Sequence, residues 1–169
     1  MNQFVCIYSI YRTYHGDRSA VKDWRNGTCI MERRKAREAV MELLFEHEFK
    51  KDEDPAEAVR LAEESREAET DAYVETVYFG VLDKVEEIDA LIASRAIGWK
   101  TSRMTKLSLS VMRLATYEMK YCEDIPFTVS INEAVELSKK FDDEKAPAFI
   151  NGILNGIAEE LGLKDTADA

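Results

Sequence analysis

Two histidines, three cysteines, three prolines and seven glycines are all that 169 residues supply. Each scarcity removes a class of chemistry. Cys6, Cys29 and Cys122 are odd in number, widely spaced and without a CxxC pair. They exclude a disulfide framework and a cysteine zinc site, and they fit a reducing, cytoplasmic setting. With so little glycine there is no phosphate-cradling loop and no nucleophile elbow. One histidine, His15, lies in an atypical leader. The other, His47, sits in "EHE", where neighbours point to different faces of a helix, so no Glu-x-x-His metal pattern forms. Neither a catalytic residue, a metal nor a cofactor is expected. No apolar run approaches the roughly 20 residues of a membrane span. Strand-like alternation is missing as well.

What the chain has is charge and helical period. It is 46% hydrophobic and 33% charged, with a formal net charge of -10. That composition suits a folded helical protein, and the overall charge repels nucleic acid unless a local basic patch overrides it. Residues 1–30 stand apart. "FVCIYSIY" has no basic residue before it and makes a poor signal peptide, and the stretch from Arg12 to Cys29 keeps no period. A translation start assigned upstream of a natural one at Met31 accounts for this segment, with a disordered leader as the alternative. Residues 31–163 then form one helical domain and 164–169 a tail.

Within that domain the spacing predicts six or seven helices. The first runs from Glu32 to Lys51, with Ala36, Ala39, Val40, Leu43, Leu44 and His47 inward. A second opens at "DPAE", with Asp54 as N-cap, Pro55 at the first position and Glu57 closing a capping box. A third covers Asp71 to Ala96, and Gly80 or the change of face near Glu87 can kink or split it. A fourth covers Leu107 to Tyr121, with Val111, Leu114, Ala115 and Glu118 in phase. Ser130 and Glu133 read as a capping box opening a helix that ends near Phe141. Pro147 begins the last helix and Gly162 ends it.

The constellation that asks for a function is "MERRKAREAV". Arg33, Arg34, Lys35 and Arg37 crowd the start of a helix, where the macrodipole disfavours cations by a few tenths of a kcal/mol each. On an acidic chain the placement makes sense if a polyanion binds there, although a solvated helix start is the plainer reading. Lys139 and Lys140 can extend the strip. Phe149 is either a base-stacking ring or core. Asn132 and Asn151, beside helix starts, read as capping residues.

Four motifs, "RRKARE", "RLATYEMKY", "IPFTVSINEAVELSKKF" and "FINGIL", resemble in order and spacing the NusB family of bacterial transcription antitermination factors, from Glu32 to Leu163. The resemblance implies an all-α fold of two packed helical subdomains that binds single-stranded boxA RNA in ribosomal RNA operon leaders. It implies NusE, a small-subunit ribosomal protein, as partner, and assembly with elongating RNA polymerase and other Nus factors. Arg33, Arg34, Lys35 and Arg37 correspond to the family's arginine-rich opening and Phe149 to its aromatic. Two positions depart from the pattern. Ser108 stands where an acidic residue often helps dock the partner, and Ala148 where a basic residue often precedes the aromatic. Two other readings stay open: a NusB-like appendage of a ribosomal RNA cytosine methyltransferase, against which the chain's end near Ala169 speaks, and a protein-only helical scaffold. The sequence leaves open whether the protein also forms a homodimer.

Overall fold

The computed structural model describes residues 33–66, 72–96 and 104–164. The expectations for residues 1–30 and for the tail past Lys164 lie outside the described residues. Within them are seven helices and no strand: α1 Arg33–His47, α2 Pro55–Arg66, α3 Ala72–Asp83, α4 Val85–Arg95, α5 Lys106–Tyr121, α6 Phe127–Phe141 and α7 Ala146–Glu160. The fold is all-α, as the spacing predicts.

α5 is the axis. Every residue from Val111 to Met119 is buried, so this helix is covered all round. It packs on α1 and α3 on one side and on α4, α6 and α7 on the other. α2 leans mainly on α1, and α6 pairs closely with α7, so two helical groups share one central helix. Tyr78, Leu44, Ile88, Ile92, Met112, Leu114, Ile150 and Leu154 fill the core, and all are less than 3% exposed. Each such side chain contributes about 1.5–3 kcal/mol by leaving water.

The long third segment is two helices. Lys84 leaves helical geometry between them (φ -108°, ψ 15°). The stripe Val74, Val77, Tyr78 and Val81 serves α3, while Ile88 and Ile92 follow a different face that serves α4. Gly80 does not make this break. A Cβ there would overlap the Tyr117 ring, which is 4% exposed and stacked 5.0 Å from Tyr121, so glycine lets α3 approach α5 closely. Gly80→Ala gains up to about 1 kcal/mol in helix propensity. It meets an overpacking cost of roughly 1–3 kcal/mol, and a urea titration is expected to show net destabilisation.

The expected capping box at Ser130 does not form. α6 starts three residues earlier, at Phe127, with Pro126 as its N-cap and no side-chain cap. The carbonyl of Pro126 accepts from the Val129 and Ser130 amides, so Ser130 already lies inside the helix. Its hydroxyl is buried without a hydrogen-bond partner among the described residues, and Glu133 turns outward to α1. Other punctuation agrees with the sequence. Asp54 Oδ1 accepts from the Ala56 amide, 3.0 Å away. Glu57, however, binds Arg60 instead of closing a box. Gly162 takes φ +68° after α7, and the Leu163 and Gly162 amides donate to the carbonyls of Ala158 and Glu159. That double closure needs a left-handed residue, which glycine supplies without strain.

Candidate nucleic-acid interface

α1 has no acidic residue in its first turn. Its opening cations are held in three different ways. Arg33 lies over the ring of Tyr73, 4.4 Å from the centroid. Arg34 is 56% exposed and uses both Nε and Nη2 to bind Glu133 on α6, at 3.1 and 2.9 Å. Arg34 in turn holds the Glu133 carboxyl below the usual carboxylate range. Lys35 is exposed and makes no ion pair among the described residues.

α6 brings the second basic strip alongside. Lys139 pairs with Glu136 one turn back at 2.7 Å. Lys140 donates to both carboxylate oxygens of Glu38 on α1 at 2.8 Å, with its ammonium 4.7 Å from the Phe141 ring centroid. Both lysines lie in the last turn of α6, where the helix dipole favours them. Arg34–Glu133 and Glu38–Lys140 therefore stitch α1 to α6 along one seam. The structure brings Arg34 and Lys140 to that seam, with Lys35 and Lys139 exposed next to them in the chain and Arg33 on the Tyr73 ring. Exposed ion pairs of this kind contribute about 0–1 kcal/mol each, so a phosphate can replace the carboxylate at little cost.

Arg37 departs from the expectation of an RNA contact. It is 5% exposed, and its Nε donates to Glu118 at 2.8 Å in the core between α1 and α5. The Tyr73 hydroxyl donates to the same carboxylate oxygen. Burial first, and then Glu118, push the Tyr73 phenol far above its usual value, so it stays a donor. Arg37 is thus an internal strut and is not available to a strand at the surface. Phe149 is half-buried on α7 and packs against the core, which leaves only part of its ring for a base.

Other charged residues of the motifs are structural. Arg113 on α5 binds both oxygens of Asp89 on α4 at 2.7 Å and Glu48 past α1 at 2.6 Å, while only 6% exposed. Ser108 is buried and donates to Asp142 at 2.5 Å, and Thr105 caps α5 beside it. Ala148 is exposed. Asn151 Oδ1 accepts from Asn155 at 3.1 Å within α7. His47 is a core-edge residue, its ring edge-on to Tyr78, and burial lowers its pKa. Burial pushes the Cys122 thiol up to about 12, which keeps it protonated and unreactive. Among the described residues no cluster of His, Cys, Asp and Glu could hold a metal, and no helix is long and apolar enough to cross a membrane.

Sequence reading missed Glu38, Glu133 and Tyr73. Sequence spacing reads Glu133 as the closing residue of a capping box and gives Glu38 no partner on α6, whereas the fold places them opposite Arg34 and Lys140, roughly a hundred residues away in the chain. No local pattern marks that pairing.

Comparison with known proteins places the sequence and the fold. A family model described as the NusB family matches residues 34–159. The transcription antitermination protein NusB of Bacillus pumilus (strain SAFR-032) is 42% identical over 131 residues, covering 78% of this chain and 98% of that protein. The same-named protein of Bacillus subtilis (strain 168) is 40% identical over the same shares. A solved structure of T. maritima NusB superposes with a TM-score of 0.68 at 36% identity, covering 77% of this chain and 92% of that one. A structure of antitermination factors NusB and NusE in complex with dsRNA shares the fold, with a TM-score of 0.68 at 24% identity over 76% of this chain and 96% of that one. By that family match and by relatives about 40% identical over nearly their whole length, the chain belongs to the NusB family.

Proposed function

We propose that this chain is a transcription antitermination factor that binds boxA RNA of ribosomal RNA operon leaders together with NusE, and so keeps RNA polymerase, with other Nus factors, processive on those operons. It acts in the cytoplasm and without catalysis. Relatives about 40% identical over most of the chain carry the antitermination name, and a protein of the same fold has been solved with NusE and RNA. The observation that carries the reading is the α1–α6 seam, where solvent-facing cations gather on a chain of net charge -10.

The mechanism is capture of the sugar-phosphate backbone by Arg33, Arg34 and Lys35 at the start of α1, continued by Lys139 and Lys140. Sequence choice then comes from unstacked bases met by neighbouring side chains, Phe149 among them. A bound NusE adds surface to the same strand and raises affinity without new contacts in this chain. Fluorescence anisotropy checks this with a boxA-like strand and a scrambled strand of equal length, with and without NusE. The boxA-like strand is expected to bind more tightly, and NusE to widen the gap. Equal binding of the two strands with NusE present would contradict the reading.

A further inference from the structure

The cations of the seam are occupied. Arg34 presents two parallel donors to the two oxygens of Glu133, and Lys140 divides its ammonium between the two oxygens of Glu38. A phosphodiester offers the same donors the same kind of acceptor pair, two oxygens on one centre. The side chains of Arg34 and Lys140 are 56% and 55% exposed, whereas those of Glu133 and Glu38 are 18% and 22% exposed. The cations thus face solvent and the carboxylates lie lower, so a strand arriving from outside meets the positive groups first. Both pairs bridge α1 and α6, so the two positions sit along one track.

We infer that Glu133 and Glu38 stand in for two RNA phosphates in the free protein, marking two phosphate subsites at Arg34 and Lys140, and that RNA binds there by exchanging with them. This rests on the RNA-binding reading above. A single small anion gains little, because it trades one oxygen pair for another. A strand that reaches both positions displaces both carboxylates in one event and gains its remaining contacts as well. The carboxylates therefore hold down the affinity for short or arbitrary polyanions, on a surface whose arginines would otherwise bind any of them.

The test uses the full chain, a boxA-like strand and a scrambled strand of equal length, read by anisotropy. Glu133→Gln keeps shape and removes charge. It is expected to tighten both strands roughly twofold to fivefold, the range set by an exposed ion pair. That gain is expected to vanish when Arg34 is already Gln, and Glu38→Gln with Lys140→Gln is expected to repeat the pattern. Binding by Glu133→Gln that is unchanged or weaker overturns the inference, since the carboxylate is then a spectator or a support that orients Arg34. A gain of equal size in the Arg34→Gln background overturns it too, as a diffuse charge effect. If Arg34→Gln and Lys140→Gln themselves leave binding unchanged, the RNA reading of the seam fails and the inference falls with it.

Discussion

A chain carrying Arg33→Glu with Arg34→Glu binds a boxA-like strand at least about a hundredfold more weakly than the wild type, because each lost charge-assisted contact costs about 1.5–3 kcal/mol. Two carboxylates then face the strand as well, so the loss extends to scrambled RNA. The fold survives. Arg33 and Arg34 lie at the surface end of α1, and the dipole there prefers acids by about 0.3–1 kcal/mol each, which offsets the lost contacts to Tyr73 and Glu133. Anisotropy and a thermal melt on the same sample read both sides. Weak binding with a near-native melting temperature is the expected pair of results. Full-strength binding would remove α1 from the interface.

The second large effect is on stability. Arg37→Met leaves the Glu118 carboxylate, 1% exposed, with the Tyr73 hydroxyl as its one hydrogen-bond partner among the described residues. Breaking one side of a buried ion pair costs about 3–5 kcal/mol, a large share of the 5–15 kcal/mol that holds a typical domain folded. Chemical denaturation is expected to show that loss. Replacing the whole cluster together (Arg37→Met, Glu118→Met, Tyr73→Phe) is expected to recover most of it, because no buried charge or donor is then left alone. If Arg37→Met proves as stable as the wild type but defective toward RNA, Arg37 belongs on the surface and the strut does not exist. The same logic separates two kinds of arginine in one motif: Arg37 substitutions reduce binding by unfolding the protein, and Arg33 and Arg34 substitutions reduce it with the protein intact.

The core was legible because helical period records burial directly. Val74, Val77, Tyr78 and Val81, then Ile88 and Ile92, could be read off the spacing, and Gly162 marks an end that the structure keeps. The strut was also present in the sequence. Arg37 shares a stripe with Val40, Met41 and Leu44, and Glu118 is in phase with Val111, Leu114 and Ala115, so one buried cation and one buried anion await each other. Counting basic residues along the chain, four in five positions, hid that difference. The Ser130 box failed for a related reason: the motif is local, while Pro126 had already fixed an earlier helix start. Nothing in the sequence could have paired Arg34 with Glu133 or Lys140 with Glu38. Exposed charges carry no periodic signal, and their partners are chosen by how α1 and α6 cross.

The central claim, that a cationic seam on an acidic body grips a phosphate backbone, is tested most directly by titrating the boxA-like strand against the protein with NusE at several salt concentrations. Three contacts from α1 give a log–log slope of about -2, and Lys139 and Lys140 bring it to about -3.5, at roughly -0.7 per phosphate on a single strand. A linear dependence within that range, made shallower by Arg33→Gln or Arg34→Gln, is the expected result. A slope near zero, or no association at low ionic strength, would contradict the claim.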